Sequence, residues 1–208
     1  MNEAKNMELW NKVCNSDPQY VKQVSFGRKF STVDAQSQIM KATEVWGEMG
    51  ANWGVKDEVF TVFNQDSDKP FATYQAKLWV IGQDGYLAIH SDIPLYTKRG
   101  YNEDWTKKMA TDALTKGLSR KGMNADLFLG QWDSQKYQQE MKEKFADQAK
   151  QMDTVALIRE IGVLYRELVP KGASGKKYHD FHGDIDNKNI AELKGFKSAL
   201  QKLEGEAR

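Results

Sequence analysis

A chain of 208 residues is long enough for one good core, or for one domain with an appendage. Its 30 Lys and Arg against 29 Asp and Glu leave a net charge of +1, which excludes a uniformly basic nucleic-acid coat. Any polyanion binding must therefore come from local asymmetry. The single cysteine, Cys14, excludes a disulfide framework and a cysteine metal site, and fits a reducing, intracellular setting. No apolar run approaches membrane-spanning length, and the N-terminus does not read as a signal peptide.

In chain order the pattern is helical, then strand-rich, then helical again, an α+β arrangement. Glu3 to Val13 is expected to form a short helix with Trp10 and Val13 as its apolar contacts, broken by Ser16-Asp17-Pro18. Val21 to Phe30 reads as extended or loop-like. Asp34 is placed to cap a helix running to about Met49, whose buried face would be Ile39, Met40, Thr43 and Trp46. Three strands follow: Trp53–Phe63, Phe71–Ile81 and Tyr86–Leu95. They alternate at Val59, Thr61 and Phe63, then at Tyr74, Ala76, Leu78 and Val80, then at Leu87, Ile89, Ser91 and Ile93. Gln83-Asp84-Gly85 signals a tight turn, so the strands should form an antiparallel meander.

Lys107 to Gly122 reads as a basic helix ending in glycine. Met109, Ala110, Ala113, Leu114, Gly117 and Leu118 share one face, small-sided enough to sit close against a sheet. Lys108, Asp112, Lys116 and Arg120 follow one another at i+4 along its flank. Two readings stand: a row of cations turned toward a polyanion, or a solvated face on which Asp112 pairs Lys108 or Lys116. Charge is concentrated here. Lys98 to Lys121 holds seven basic residues and three acids, and Lys22 to Lys41 four basic residues and one acid. Asp133 to Met152 is balanced at four of each.

Beyond Asn124 comes a short apolar run, Leu127-Phe128-Leu129, then a charged helical segment with Tyr137, Met141 and Phe145 four apart. Asp153 is expected to start another helix, with Val155, Ile158, Ile161, Tyr165 and Leu168 on one side. Pro170 to Asp186 reads as a loop. Ile190, Leu193, Phe196, Leu200 and Leu203 mark a final amphipathic helix.

Enzyme signatures are weak. Gly172-Ala173-Ser174-Gly175-Lys176-Lys177 lacks the spacing and the Ser or Thr of a phosphate loop, and no strand precedes it. His179-Asp180-Phe181-His182 through Asp186 matches no strong metal spacing. His90 and Asp92 share a strand face without a partner nucleophile. No catalytic site, cofactor or metal is expected. Tyr101 and Trp105 lie among Lys98, Arg99, Lys107 and Lys108, either as base-stacking platforms or as plugs over the core edge. Trp46, Trp53 and Trp79 belong to packing or to a subunit interface.

Three patches carry a family resemblance. The first is Ser25-Phe26-Gly27-Arg28-Lys29-Phe30, followed by Ala42-Thr43-Glu44-Val45-Trp46-Gly47, Gly50 and Trp53. The second is the sheet with its Asp84-Gly85 turn. The third and most specific is Thr111-Asp112-Ala113-Leu114 through Leu118 to Gly122, continuing into Asn124-Ala125-Asp126. Over about residues 7 to 135 the chain resembles phage and prophage single-strand annealing proteins of the Rad fifty-two superfamily. That resemblance implies residues 1–135 as an annealase core, helix plus three-stranded meander plus basic helix, and residues 136–208 as a helical extension for assembly or partner docking.

The resemblance also implies a function: ATP-independent binding of single-stranded DNA and annealing of complementary strands in phage recombination. The assembly would be a homo-oligomeric ring or helical filament with DNA in a basic groove. A phage exonuclease or a single-strand-binding protein would work alongside it, in the cytoplasm of a bacterial host. Arg28 matches the arginine expected before the first helix, and Lys116 matches one basic position of the helix after the meander. The preceding position, usually lysine in the eukaryotic proteins, is Thr115, and Arg120 one turn on is the candidate replacement. The candidate DNA contacts are therefore Arg28, Lys29, Lys98, Arg99, Tyr101, Trp105, Lys107, Lys108, Lys116, Arg120 and Lys121. A rival reading is a non-annealing recombination accessory whose helical tail recruits or loads partners, and a third is a hydrolase acting through the histidine-containing segment.

Overall fold

A computed structural model describes residues 7–26, 28–98, 100–169 and 176–206, which divide into two compact units, Met1–Lys142 and Glu143–Arg208. The first is α+β, with a three-stranded antiparallel sheet at its centre.

Helix α1, Glu8–Val13, buries Val13. The segment Val21 to Phe30, expected to be extended or loop-like, enters a hairpin. Strand β1, Val21–Phe26, pairs antiparallel with β2, Arg28–Val33, from Val21↔Val33 to Phe26↔Arg28. Asp34 then caps helix α2, Ala35–Trp46, accepting from the Gln36 N–H at 3.0 Å while Lys22 Nζ donates to its second oxygen at 2.7 Å. The helix stops before the expected Met49 because Gly47 takes φ +92°, outside the range that continues a helix. Its buried stripe also differs from the expected one. Gln38 and Ala42 are wholly buried, and Ile39, Val45 and Trp46 pack around them, whereas Met40 and Thr43 are exposed. In the core the Gln38 side-chain N–H donates to the Met123 carbonyl at 3.4 Å, while its Oε1 has no hydrogen-bond partner among the described residues.

Strands β3, Trp53–Phe63, β4, Phe71–Val80, and β5, Tyr86–Pro94, form the meander in the order β3-β4-β5. On β4 the expected alternation holds, with Ala72, Tyr74, Ala76, Leu78 and Val80 buried. On β3 a bulge resets it. Lys56 pairs with Lys77 and Val59 with Gln75, so Asp57 and Glu58 together oppose one residue, with Asp57 at φ 55°. Trp53 and Val55 face the core before the bulge, and Phe60 and Val62 after it. Val59 and Phe63 consequently lie on the opposite, open face, 56% and 43% exposed. There Phe63 stacks on Phe71 at 5.1 Å, and Lys77 sits 4.6 Å from the Tyr86 ring centroid.

A two-residue hairpin, β6 (Tyr96–Thr97) and β7 (Gly100–Tyr101), leads into helix α3, Trp105–Arg120. Met109, Ala113, Leu114, Gly117 and Leu118 are its buried face, laid on β4 and β5 as the spacing predicts. The helix ends in a paired-carbonyl stop: the Met123 N–H donates to Leu118 O at 3.1 Å and the Gly122 N–H to Ser119 O at 2.9 Å. Gly122, at φ +98°, also leaves room for Trp10, whose Cε3 would lie 2.9 Å from a β-carbon there.

Past this stop the chain is clamped. The Asp126 carboxylate, 1% exposed, accepts from Ser16 N–H (2.7 Å), Ser16 Oγ (2.6 Å), Trp132 Nε1 (2.8 Å) and Tyr137 Oη (3.0 Å). Asn124 Nδ2 donates to Ser16 Oγ at 2.9 Å. The Asn124-Ala125-Asp126 patch thus has an architectural duty, tying helix α4, Ala125–Phe128, to the start of the chain. Burial, then the Asp126 charge, hold the Tyr137 phenol well above its ordinary pKa.

Helix α5, Gln135–Leu168, is continuous through the unit boundary. Asp153 therefore starts no helix. Its neighbours Ala149, Lys150, Gln151 and Met152 are good helix formers with no Gly or Pro, so propagation costs less than a second nucleation. Within the expected loop, Lys176–Gly183 is helix α6. Residues 170–175 lie outside the described residues. Helix α7, Ile190–Glu206, opens with a reciprocal cap: Asn189 Oδ1 accepts from Glu192 N–H at 3.0 Å, and Glu192 Oε2 from Asn189 N–H at 2.9 Å. The second unit's core is Ile161, Ile185, Leu193, Phe196 and Leu200. Val155, expected on the buried side, is 49% exposed.

Candidate nucleic-acid interface

The candidate interface is the flank of α3 that its packing leaves uncovered. Residues 108, 112, 116 and 120 advance by about 6 Å at each step, so Lys108 to Arg120 spans about 18 Å. Each cation is held by a partner from a different part of the first unit. Lys108 Nζ donates to the side-chain oxygen of Asn102, itself 8% exposed with its N–H on the Leu95 carbonyl. Lys116 Nζ reaches Asp112 at 2.8 Å, and Ser91 Oγ on β5 donates to the same carboxylate oxygen at 2.6 Å. Arg120 extends to the Ala88 carbonyl of β5 at 3.5 Å. Lys121 Nζ reaches Gln83 Oε1, in the turn before β5, at 2.9 Å. The result is a line of positive groups from the β6–β7 hairpin to the β4–β5 turn.

These cations are tethered without being buried. The Lys116 side chain is 56% exposed and that of Asp112 42%. An ion pair this wet contributes about 0–1 kcal/mol, so Lys116 can exchange Asp112 for another anion at small cost. Of the two pairings open to Asp112, the structure takes Lys116. Lys108 goes instead to Asn102, a buried polar group that nothing in the local sequence marked.

The other candidates divide. Lys107 is exposed on α3 and Lys98 is exposed at the β6–β7 turn. Tyr101 is 50% exposed and packs against Tyr96, itself 59% exposed, with ring centroids 5.4 Å apart. Trp105 is half-buried, packed on the core and edge-on to Phe60 at 5.8 Å, an arrangement that suits a plug over the core edge. Trp53 is wholly buried and edge-on to Trp46 at 5.6 Å. Arg99 lies outside the described residues, as do the side chains of Arg28 and Lys29, whose backbone forms the start of β2.

Two further cations of the basic N-terminal stretch are committed to structure. Lys22 pairs with the Asp34 cap at 2.7 Å. Lys41 Nζ donates to Asn15 O at 2.6 Å and Val13 O at 3.3 Å, and burial holds its pKa below the ordinary lysine value.

Tyr96 is the residue that spacing arguments passed over. It sits two residues past the end of β5, and its partnership with Tyr101 arises from the Tyr96↔Tyr101 register of a hairpin too short to show periodicity. Elsewhere, His90 and Asp92 are exposed on β5 opposite Gln75 and Thr73. In the second unit His182 stacks on the Tyr165 ring at 3.9 Å, and His179 Nδ1 meets the Tyr165 hydroxyl. No protein-family model matches the chain, and no curated protein matches it.

Proposed function

We propose that this protein binds single-stranded DNA and anneals complementary strands without ATP. The observation that carries the reading is the line Lys108, Lys116 and Arg120 along α3, continued by Lys121 at its C-terminal cap, four side chains each held by a partner. Cations spaced on a rigid element bind the sugar-phosphate backbone and leave base edges free to find their complements. Tyr101 and Tyr96 add an exposed aromatic surface at one end of that line. The order of elements in the first unit, helix, three-stranded meander, basic helix, agrees with the annealase core that the sequence resemblance implies.

Assembly belongs to the same proposal. β3 and β5 are edge strands, and the open sheet face carries Val59, Phe63 and Tyr86, surface that neighbouring copies would cover while aligning their cations into one track. That same face favours the second reading, an accessory that docks another recombination protein. One experiment separates them: purified protein mixed with two complementary dye-labelled oligonucleotides, without nucleotide or divalent metal. Annealing faster than the spontaneous rate is expected. Binding without acceleration favours the accessory, and strand cleavage would favour a hydrolase.

A further inference from the structure

Between the β6–β7 hairpin and the first turn of α3 lies a cleft of about 830 Å³, within the size range of small-ligand sites. Its lining combines three chemistries. Lys98 and Lys108 bring positive charge, Tyr101 and Ile93 bring apolar surface, and Glu103 and Asp104 bring two carboxylates. Lys108 is pre-set by its bond to the buried Asn102. Asp104 occupies the cap position of α3 yet makes no side-chain cap hydrogen bond, so the usual duty of an acid at that position is not what holds it there.

Two cations and two acids in one lining make a poor site for a bare phosphate. They suit a ligand that carries an anion and hydrogen-bond donors on one frame, with a flat ring between. A nucleotide pulled out of its stack has that form. Its phosphate answers the lysines and its ring answers Tyr101. An exocyclic amino group, N4 of cytosine or N6 of adenine, offers two N–H donors to a pair of carboxylates, where an unpaired thymine offers one, N3–H, set between the O2 and O4 acceptors that carboxylates repel.

Resting on the single-strand-binding reading, we propose that this cleft holds one unstacked nucleotide of the bound strand and prefers an amino-bearing base to thymine. Glu103 and Asp104 are its specificity residues and Tyr101 its stacking surface. The remaining nucleotides stay on the α3 track with their edges free.

The test is anisotropy of dye-labelled oligo-dC and oligo-dT of equal length with the full-length protein at one salt concentration. The expected result is tighter binding of oligo-dC by about fivefold, the low end for one good base-edge contact. In Glu103→Ala/Asp104→Ala that ratio should fall to about one, while Lys116→Ala weakens both polymers and leaves the ratio unchanged. Tyr101→Ala should weaken oligo-dC by about fivefold or more. A ratio of one in the unaltered protein, or a ratio that survives the double substitution, overturns the proposal and leaves single-strand binding standing. Failure to bind either polymer would overturn both.

Discussion

Gly117 of α3 lies directly over Ile89 of β5: a β-carbon at position 117 would come within 2.6 Å of Ile89 Cγ2. The missing side chain sets the approach of the basic helix to the sheet. That approach lets Lys116 share the Asp112–Ser91 contact and Arg120 reach β5.

Gly117→Ala is therefore expected to destabilise the first unit, although alanine is the better helix former by about 1 kcal/mol. Overpacking of this kind costs about 1–3 kcal/mol, and Ile89 is only 2% exposed, with little room to yield. Urea denaturation should show a lower midpoint for Gly117→Ala and a lower one still for Gly117→Val. An unchanged midpoint would mean that the helix is not seated on the sheet as described.

Asp126→Ala should be among the most damaging single changes, costing about 3–5 kcal/mol, since it leaves Ser16, Trp132 and Tyr137 donors without their shared acceptor. Ser16→Ala removes one donor and should cost about 1 kcal/mol. Hydrogen exchange in Asp126→Ala should rise first at the Ser16 N–H, which donates to the lost carboxylate, and at the N–H groups of residues 124 and 126, which donate to the Val13 and Cys14 carbonyls.

Removing Arg28, Lys116 or Arg120 singly should weaken single-strand binding, and each should reduce the slope of log affinity against log salt by about 0.7. Asp112→Asn should act in the opposite direction, because it removes the carboxylate competing with phosphate for Lys116. Salt titrations of all four variants, with circular dichroism to verify folding, give the comparison. Unchanged slopes across the set would displace the track from α3.

Asp34 predicts an acid signature. The hydrogen bond from Lys22, then that from the Gln36 N–H, holds its carboxyl below the ordinary 3.8. Because the folded value is depressed, the contribution is complete above the unfolded value and is lost as pH falls through the folded one, below 3.8. Asp34→Ala should thus cost about 1 kcal/mol at neutral pH, the worth of a helix cap, given that the pair with Lys22 is exposed and screened. The difference from the unaltered protein should shrink as the pH is taken down through the folded-state value, itself below 3.8. A difference that persists there would show that Asp34 acts through packing.

Much of the first unit was legible along the chain. The β4 alternation, the Asp34 cap and the buried face of α3 are local or periodic properties, written within a few residues of where they act. What misled the reading was equally physical. The β3 alternation continues unbroken in sequence, yet the Asp57–Glu58 bulge turns Val59 and Phe63 to the open face, since one extra residue reverses a period of two. Asp153 carries a cap signal that costs nothing to ignore when helix already extends on both sides.

The candidate site shows where sequence stops. Spacing alone determined that Lys108, Asp112, Lys116 and Arg120 share one flank, because helical geometry is the same in every protein. Which of those charges is spent on structure depended on residues far away in the chain: Ser91, Ala88 and Gln83 for the track, and the carbonyls of Val13 and Asn15 that retain Lys41. The exposure of Tyr101 beside Tyr96, and the packing of Trp105 on the core edge-on to Phe60, were decided the same way. Periodicity assigns a side chain to a face. Only the packed fold determines whether that face meets solvent, a partner charge or another ring.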